Sequence, residues 1–365
     1  MSSLTPVPEP THEQGPKADI RESAPKGRVD FVTLIVLLAM VLVTVVLFSL
    51  GTGAVHVSSG AILSALFGSH SLTATQEIIL LQIRLPRILA AGVVGAALAV
   101  SGLMFHGLFR NPLAVPYVIG SAGGAVLGAC IGIFFFSQLS LFGFSATTLL
   151  AFAGSVVTMV IVYWLARTNG RTNVVTLLLA GFAVSTMLGY SSYFFEAFDS
   201  GSGTNHLILL SWLHGVIGIP RWPQLAITGT LLLLATMIAM PMMRRLNTLA
   251  LGDEYAHQLG LRVEYTRVGI ILTGSLLTAV AVSLGGLISF AGLLVPHVAR
   301  LILGPDHVRL LPVTALSGAI FVIVADTLAR SLFSPTEIPV GILMAFLGGP
   351  FFLYLLRKTK RSYVL

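Results

Sequence analysis

Three arginines sit at the edges of long hydrophobic runs, Arg84 and Arg87 in IRLPRIL and Arg330 in ADTLARSLF. A guanidinium is a rigid fork of donors that can grip a carboxylate through two bonds at once. The chemistry on offer is therefore recognition of an acidic group. Two other uses compete with it: an ion pair from Arg330 to Asp326 one helical turn earlier, and the snorkelling of long side chains to a membrane surface. A second constellation lies in LNTLALGDEYAHQLGLRVEYTR, residues 246–267, where polar residues interrupt the apolar runs. Read as a short helix, it sets Leu251, Tyr255 and Leu259 on one face at i, i+4, i+8. Asp253 and Glu254 then stand at the positive N-terminal end, and Gly260 supplies the stop. Such a piece is too short to cross a bilayer and too apolar on one face for a plain loop. It is either a handle for a soluble partner or a helix lying flat on the membrane.

Covalent chemistry is not readable in the chain. There is no Ser/His/Asp constellation, no HExxH, no CxxC and no GxxxxGK[ST] phosphate cradle. Cys130 is the only cysteine, which excludes an intrachain disulfide. His297, beside Pro296 in GLLVPHVAR, reads as an interhelical hydrogen-bonding residue next to a kink rather than as a metal ligand. Neither a metal nor a cofactor is expected, and the chain is not expected to be an enzyme.

The elements that must position these residues follow from composition. Hydrophobic residues make up 55% of the chain, charged residues only 10%, and mean hydropathy is +0.92. A soluble domain carries roughly a quarter charged residues, so this is an all-α polytopic membrane protein. A bilayer-crossing helix needs about 20 apolar residues. Ten stretches qualify: 31–50, 85–109, 117–136, 146–165, 174–195, 223–243, 268–285, 287–303, 310–330 and 338–356, the seventh and eighth abutting at Gly285–Gly286. Residues 1–30, with five prolines and little to bury, are expected to be a disordered tail rather than a signal peptide. The transmembrane domain is expected over 31–358, and residues 359–365 form a short C-terminal tail.

Orientation follows from the basic residues. With the N-terminus in the cytosol, only four of the 21 Lys and Arg fall outside: Arg84, Arg87, Arg221 and Arg330. Both termini and residues 246–267 are then cytosolic, and the net charge of +7 is a topology signal that needs no nucleic acid. Glycines Gly120, Gly124, Gly128 and Gly132 recur at every fourth residue, and like Gly92 and Gly95 they read as close-packing positions. Nine carboxylates follow the tail, and only Asp326 lies clearly inside a span, with Glu196 marginal. An ion-driven carrier ordinarily relays charge through several such groups, and a channel shows a filter or a charged ring. Energy for any pumping must come from a separate subunit.

Four long stretches carry a resemblance to a known family. They are residues 84–129, RLPRILAAGVVGAALAVSGLMFHGLFRNPLAVPYVIGSAGGAVLGA; residues 246–261, LNTLALGDEYAHQLGL; residues 285–312, GGLISFAGLLVPHVARLILGPDHVRLLP; and residues 325–358, ending in GILMAFLGGPFFLYLLRK. Together they resemble the FecCD-type permease subunits of type II ATP-binding-cassette importers for iron-siderophore complexes, haem and cobalamin. The resemblance implies about ten transmembrane helices, a homodimer of permeases in the bacterial cytoplasmic membrane, two copies of an ATPase below it and an extracytoplasmic binding protein above it. By the same resemblance, Arg84, Arg87 and Arg330 meet acidic residues of the binding protein. The coupling segment that engages the ATPase corresponds to Leu251–Gly260, with Gly252, Asp253, Glu254, Tyr255 and Ala256 the leading contacts. Asn111 and Leu113 in RNPLAVP correspond to a cytoplasmic gate, and the fifth span is implied to line the path. An iron complex, ferric siderophore or haem, is the expected cargo, with cobalamin the alternative within the family. A secondary transporter working without an ATPase is the alternative from another class. The chain departs from the family at WLHGVIGIPRW, residues 212–222, where WLxGSLxGxxW is usual; His214 and Arg221 are the unusual residues.

Overall fold

The computed structural model describes residues 30–53, 60, 73–168, 171–197, 203–333 and 336–360. The expected disordered tail (all but its last residue) and most of the short C-terminal tail lie outside the described residues. Helix α1 is Phe31–Gly51, α2 Ala74–Leu108, α3 Ser121–Phe135, α4 Ala146–Ala166 and α5 Val174–Ala197, interrupted at Tyr190. Then follow α6 Thr204–Leu213, α7 Trp222–Leu249, α8 Asp253–Gln258, α9 Val263–Gly285, α10 Ala291–Leu303, α11 His307–Ser331 and α12 Val340–Lys360. Among the described residues, seven helices are long and apolar enough to cross a membrane: α1, α2, α4, α5, α7, α9 and α11. Three shorter apolar helices, α3, α10 and α12, occupy the positions of the third, eighth and tenth expected spans. The boundary at Gly285–Gly286 is a true break: α9 ends at Gly285, Gly286 has φ +65°, and Phe290 enters α10 with φ 66°.

Helix α2 is the axis of the fold. It is apolar on all sides, and Ile88, Val94, Leu98, Leu103, Met104 and Phe105 are all buried, as expected of a helix enclosed by others. Helices α7, α9, α10 and α11 surround it, and α1 packs outside α11. The approach is close because small residues face one another. A Cβ on Gly102 would stand 1.8 Å from the carbonyl oxygen of Gly292, and one on Gly95 would stand 2.1 Å from that of Gly318. Backbones that touch in this way maximise dispersion contacts where apolar lipid offers no hydrophobic drive.

The every-fourth glycine stripe does the same for a second group of helices. Cβ atoms at Gly124, Gly128 and Gly132 would collide with the α4 backbone at Gly154, Leu150 and Thr147. Helices α3, α4 and α5 thus form a layer joined to the α2 bundle through α9. Two short antiparallel pairs close its ends, β1 (Ser140–Leu141) with β2 (Phe144–Ser145) and β3 (Arg167–Thr168) with β4 (Arg171–Thr172).

Near its start α2 widens into a π-helical stretch, Ile79–Arg84, where the N–H of Leu85 reaches back to the carbonyl of Leu80. Pro86 accounts for it: the ring lacks an N–H and crowds the carbonyl of residue 82, so the helix loosens ahead of it. The stretch ends on Arg84, and Arg87 follows one turn later on the buried side.

Candidate functional site

At the end of α2 holding Arg84 and Arg87, four charged side chains meet under cover. Asp326 on α11 is 1% exposed, and Arg84, Arg87 and Arg330 are 5%, 8% and 9% exposed. Arg87 donates to Asp326 Oδ1 from both Nε (3.1 Å) and Nη2 (3.0 Å), and from Nη1 to Glu337 Oε2 at 2.8 Å. Arg330 donates from Nε to Asp326 Oδ2 at 3.0 Å and from Nη2 to Ser49 Oγ at 2.9 Å. Thr327 Oγ1 donates to the Ile323 carbonyl, so the 2.7 Å contact between Ser49 and Thr327 must use the Ser49 proton. Arg84 donates to the Leu50 carbonyl at 2.6 Å.

The cluster therefore ties together the ends of α1, α2 and α11. Both oxygens of the buried carboxylate are met by a guanidinium, which is the condition for tolerating a buried ion pair. The competing sequence reading, an ion pair between Arg330 and Asp326, is realised, and Arg87 joins it. All three guanidiniums are buried in the cluster, and the substantially exposed member is Glu337, with 52% of its side chain accessible. Glu337, Ser49 and Thr327 carried no sequence signal, because their cluster partners lie 250 to 281 positions away.

At the other end of the helices lies the polar segment. Its helix, α8, is shorter than the periodicity suggests: it covers Asp253–Gln258, so Leu251 precedes it and Leu259 is its C-cap. Gly260, with φ +81°, closes it. The Gly260 N–H donates to the His257 carbonyl and the Leu261 N–H to the Ala256 carbonyl, the double bond pattern of a Schellman stop. Leu251, Tyr255 and Leu259 are 63%, 65% and 67% exposed, while Ala256 beneath them is fully buried. An apolar trio thus stands out from a seated helix. Gly252 enters it at φ 117°, a conformation that only glycine holds without strain.

Asp253 faces back toward the protein. It accepts from Arg110 Nη2 at 2.7 Å through Oδ1 and from Arg267 Nη2 through Oδ2. Arg110 heads the loop that contains Asn111 and Leu113. There Asn111 Oδ1 accepts from the Leu113 N–H at 2.9 Å, an Asx turn that sets the loop, and Leu113 is 41% exposed. The structure thus brings the two residue sets expected on the cytosolic side together through an ion pair. The side chains of Glu254 and Tyr255 make no hydrogen bond within the described residues.

The histidine reading is corrected. No hydrogen bond reaches the His297 ring among the described residues; the histidine that is bonded between helices is His307, whose Nδ1 lies 2.7 Å from Asn247 Oδ1 on α7. Helix α10 continues through Pro296. Among the described residues no group of three or more His, Cys, Asp or Glu could hold a metal. In the unusual outer loop, the His214 N–H closes α6 onto the Leu210 carbonyl, and exposed Arg221 precedes α7, where Gln224 bonds both the Arg221 N–H and the Gly143 carbonyl.

Comparison with known proteins follows the same lines. A model of the FecCD transport family matches residues 40–358. The haemin transport system permease protein HmuU of Yersinia pestis is 39% identical over 332 residues, covering 89% of this chain and 96% of that protein. The cobalamin import system permease protein BtuC of Halobacterium salinarum is 41% identical over 286 residues, 78% of this chain and 75% of that protein. A solved metal-chelate type ABC transporter in an inward-facing conformation superposes with a TM-score of 0.75 at 32% identity, covering 90% of this chain and 99% of its own.

Proposed function

From membership of the FecCD transport family, to which this chain belongs, we infer that it is the permease through which an iron complex, ferric siderophore or haem, enters the cytoplasm. It is a multi-pass membrane protein of the ABC importer permease class. The observation that carries the mechanistic reading is α8: exposed Leu251, Tyr255 and Leu259 over buried Ala256, in a chain with no phosphate cradle. Burying such a trio in a groove of a soluble partner removes apolar area from water at about 25 cal/mol per Å². The partner is an ATPase subunit, present in two copies beneath a permease homodimer in the bacterial cytoplasmic membrane. Its contacts are Leu251, Gly252, Asp253, Glu254, Tyr255, Ala256, Leu259 and Gly260, and the Asn111–Leu113 loop is the cytoplasmic gate. Hydrolysis resides in that partner, and this chain contributes geometry only.

The outer face receives an extracytoplasmic binding protein around Arg84, Arg87 and Arg330. Because these guanidiniums are internally paired, docking proceeds by exchange: a carboxylate of the arriving protein replaces exposed Glu337 on Arg87.

HmuU is a haemin transport permease and BtuC, at slightly higher identity, a cobalamin import permease, so cobalamin is the second reading. The test is ATP-dependent uptake in proteoliposomes holding this permease, its ATPase and a loaded binding protein, with labelled haem, ferric siderophore and cobalamin compared. Tyr255→Ala with Glu254→Arg is expected to abolish uptake while the permease still folds. Uptake without ATP, or uptake unchanged by that pair of substitutions, would sink the reading.

A further inference from the structure

The ion pairs at Asp253 continue beyond the helix that bears it. Arg267, which reaches Asp253 through Nη2, donates from Nη1 to the carbonyl of Thr172 at 3.3 Å. One turn before Arg267 on α9, Glu264 accepts from the Thr172 N–H at 3.0 Å through Oε2 and from the Thr172 hydroxyl through Oε1. Thr172 is 3% exposed and ends β4. The next residue, Asn173, caps α5 by accepting from the N–H groups of Val175 and Thr176. A continuous chain of bonds therefore runs from Arg110 through Asp253 and Arg267 to Thr172, which Glu264 of the same helix also holds, joining α8 to the gate loop on one side and to the start of α5 on the other.

The Arg110 backbone adds a second, independent observation. Arg110 holds φ 49°, in the left-handed region, at the end of α2. Its N–H donates to the Gly107 carbonyl and that of Asn111 to the His106 carbonyl, the stop that glycine usually supplies. An arginine there costs backbone strain of roughly 1 kcal/mol that glycine would avoid. Strain of this kind is retained where the side chain has work to do, and here the side chain reaches Asp253.

We propose that Arg110, Arg267, Glu264 and Thr172 are positioning residues that transmit displacement of α8 to both the gate loop and the N-terminus of α5. The inference rests on the importer reading above and adds residues that reading does not use. When the partner subunits move α8, Asp253 pulls on two guanidiniums held on separate elements, so loop and helix shift together rather than independently. None of the four touches the transported complex.

The experiment measures ATP hydrolysed per molecule imported in proteoliposomes containing the permease, its ATPase and a loaded binding protein. Three variants are compared with wild type: Arg110→Gly, Glu264→Gln and Thr172→Val. Arg110→Gly removes the guanidinium while relieving the backbone, so instability cannot imitate the effect. Each is expected to raise the ratio by about fivefold or more, the lower end of ordinary coupling factors, with ATPase association and stimulated hydrolysis retained. Glu264→Gln with Thr172→Val should raise it no further than either alone, because the two form one link. Hydrolysis is counted as the part stimulated by the loaded binding protein, so a misfolded fraction, which is not stimulated, leaves the ratio unmoved. Wild-type ratios in all three variants overturn this inference alone. Absence of ATP-dependent uptake by the wild-type chain overturns the importer reading, and this inference with it.

Discussion

Arg87 and Asp326, 239 positions apart in sequence, form a two-bond ion pair through Nε and Nη2 at 3.1 and 3.0 Å, with the carboxylate 1% exposed. Arg330 takes the other oxygen, so one buried carboxylate holds two guanidiniums and, through them, three helix ends. This shared dependence gives the cluster its energetic character.

Replacing Asp326 by Asn leaves the buried Arg330 without its counter-charge and Arg87 with only the exposed Glu337. Removing one partner of a buried pair costs about 3–5 kcal/mol. Asp326→Asn is therefore expected to lower the melting temperature of the detergent-solubilised permease sharply. The triple variant Arg87→Met, Arg330→Met, Asp326→Leu should recover much of the loss, since no charge is then stranded. An Asp326→Asn protein that melts with wild type would show that the cluster is not holding the helix ends.

Glycine positions of different surroundings predict opposite outcomes. An added Cβ at Gly102 would meet the Gly292 carbonyl at 1.8 Å, whereas one at Gly189 meets nothing within 4 Å. Gly102→Ala must push α2 and α10 apart, with a cost of about 1–3 kcal/mol or more typical of overpacking. Gly189→Ala is expected to be neutral or to stabilise by up to about 1 kcal/mol through helix propensity. Thermal unfolding of the two variants side by side tests this, and equal melting temperatures would contradict the close approach.

The orientation argued from basic residues is open to labelling. Cys130 is fully buried, so the wild-type chain should resist a membrane-impermeant maleimide from either side. In a Cys130→Ala background, Tyr255→Cys is expected to react in inside-out vesicles and Trp222→Cys in right-side-out vesicles, both positions being exposed. The reverse pattern would invert the topology and place α8 away from any cytosolic ATPase.

Much of the fold was legible because a bilayer asks for one thing, about 20 apolar residues in a row, and runs such as 31–50 and 146–165 supply it with boundaries close to those of α1 and α4. The glycine stripe was legible for a related reason: its period of four puts every member on one helix face, and that face meets α4. The segment from 246 to 267 announced itself as polar among apolar neighbours. Its exact helix did not, since Leu251 and Leu259 keep the helical spacing while Gly252 and the Gly260 stop confine α8 to six residues.

By itself, then, the sequence determined that the chain crosses a membrane many times and which helix faces could approach closely. Those conclusions rest on composition and local period, which neighbours along the chain suffice to express. Only the tertiary structure decided what each charged side chain faces. It buried Arg84, Arg87 and Arg330, left Glu337 outside, and linked Arg110 to Asp253 and Arg267 to Thr172. An ion pair depends on a few ångströms between residues that may be hundreds of positions apart, and nothing in local spacing encodes that distance.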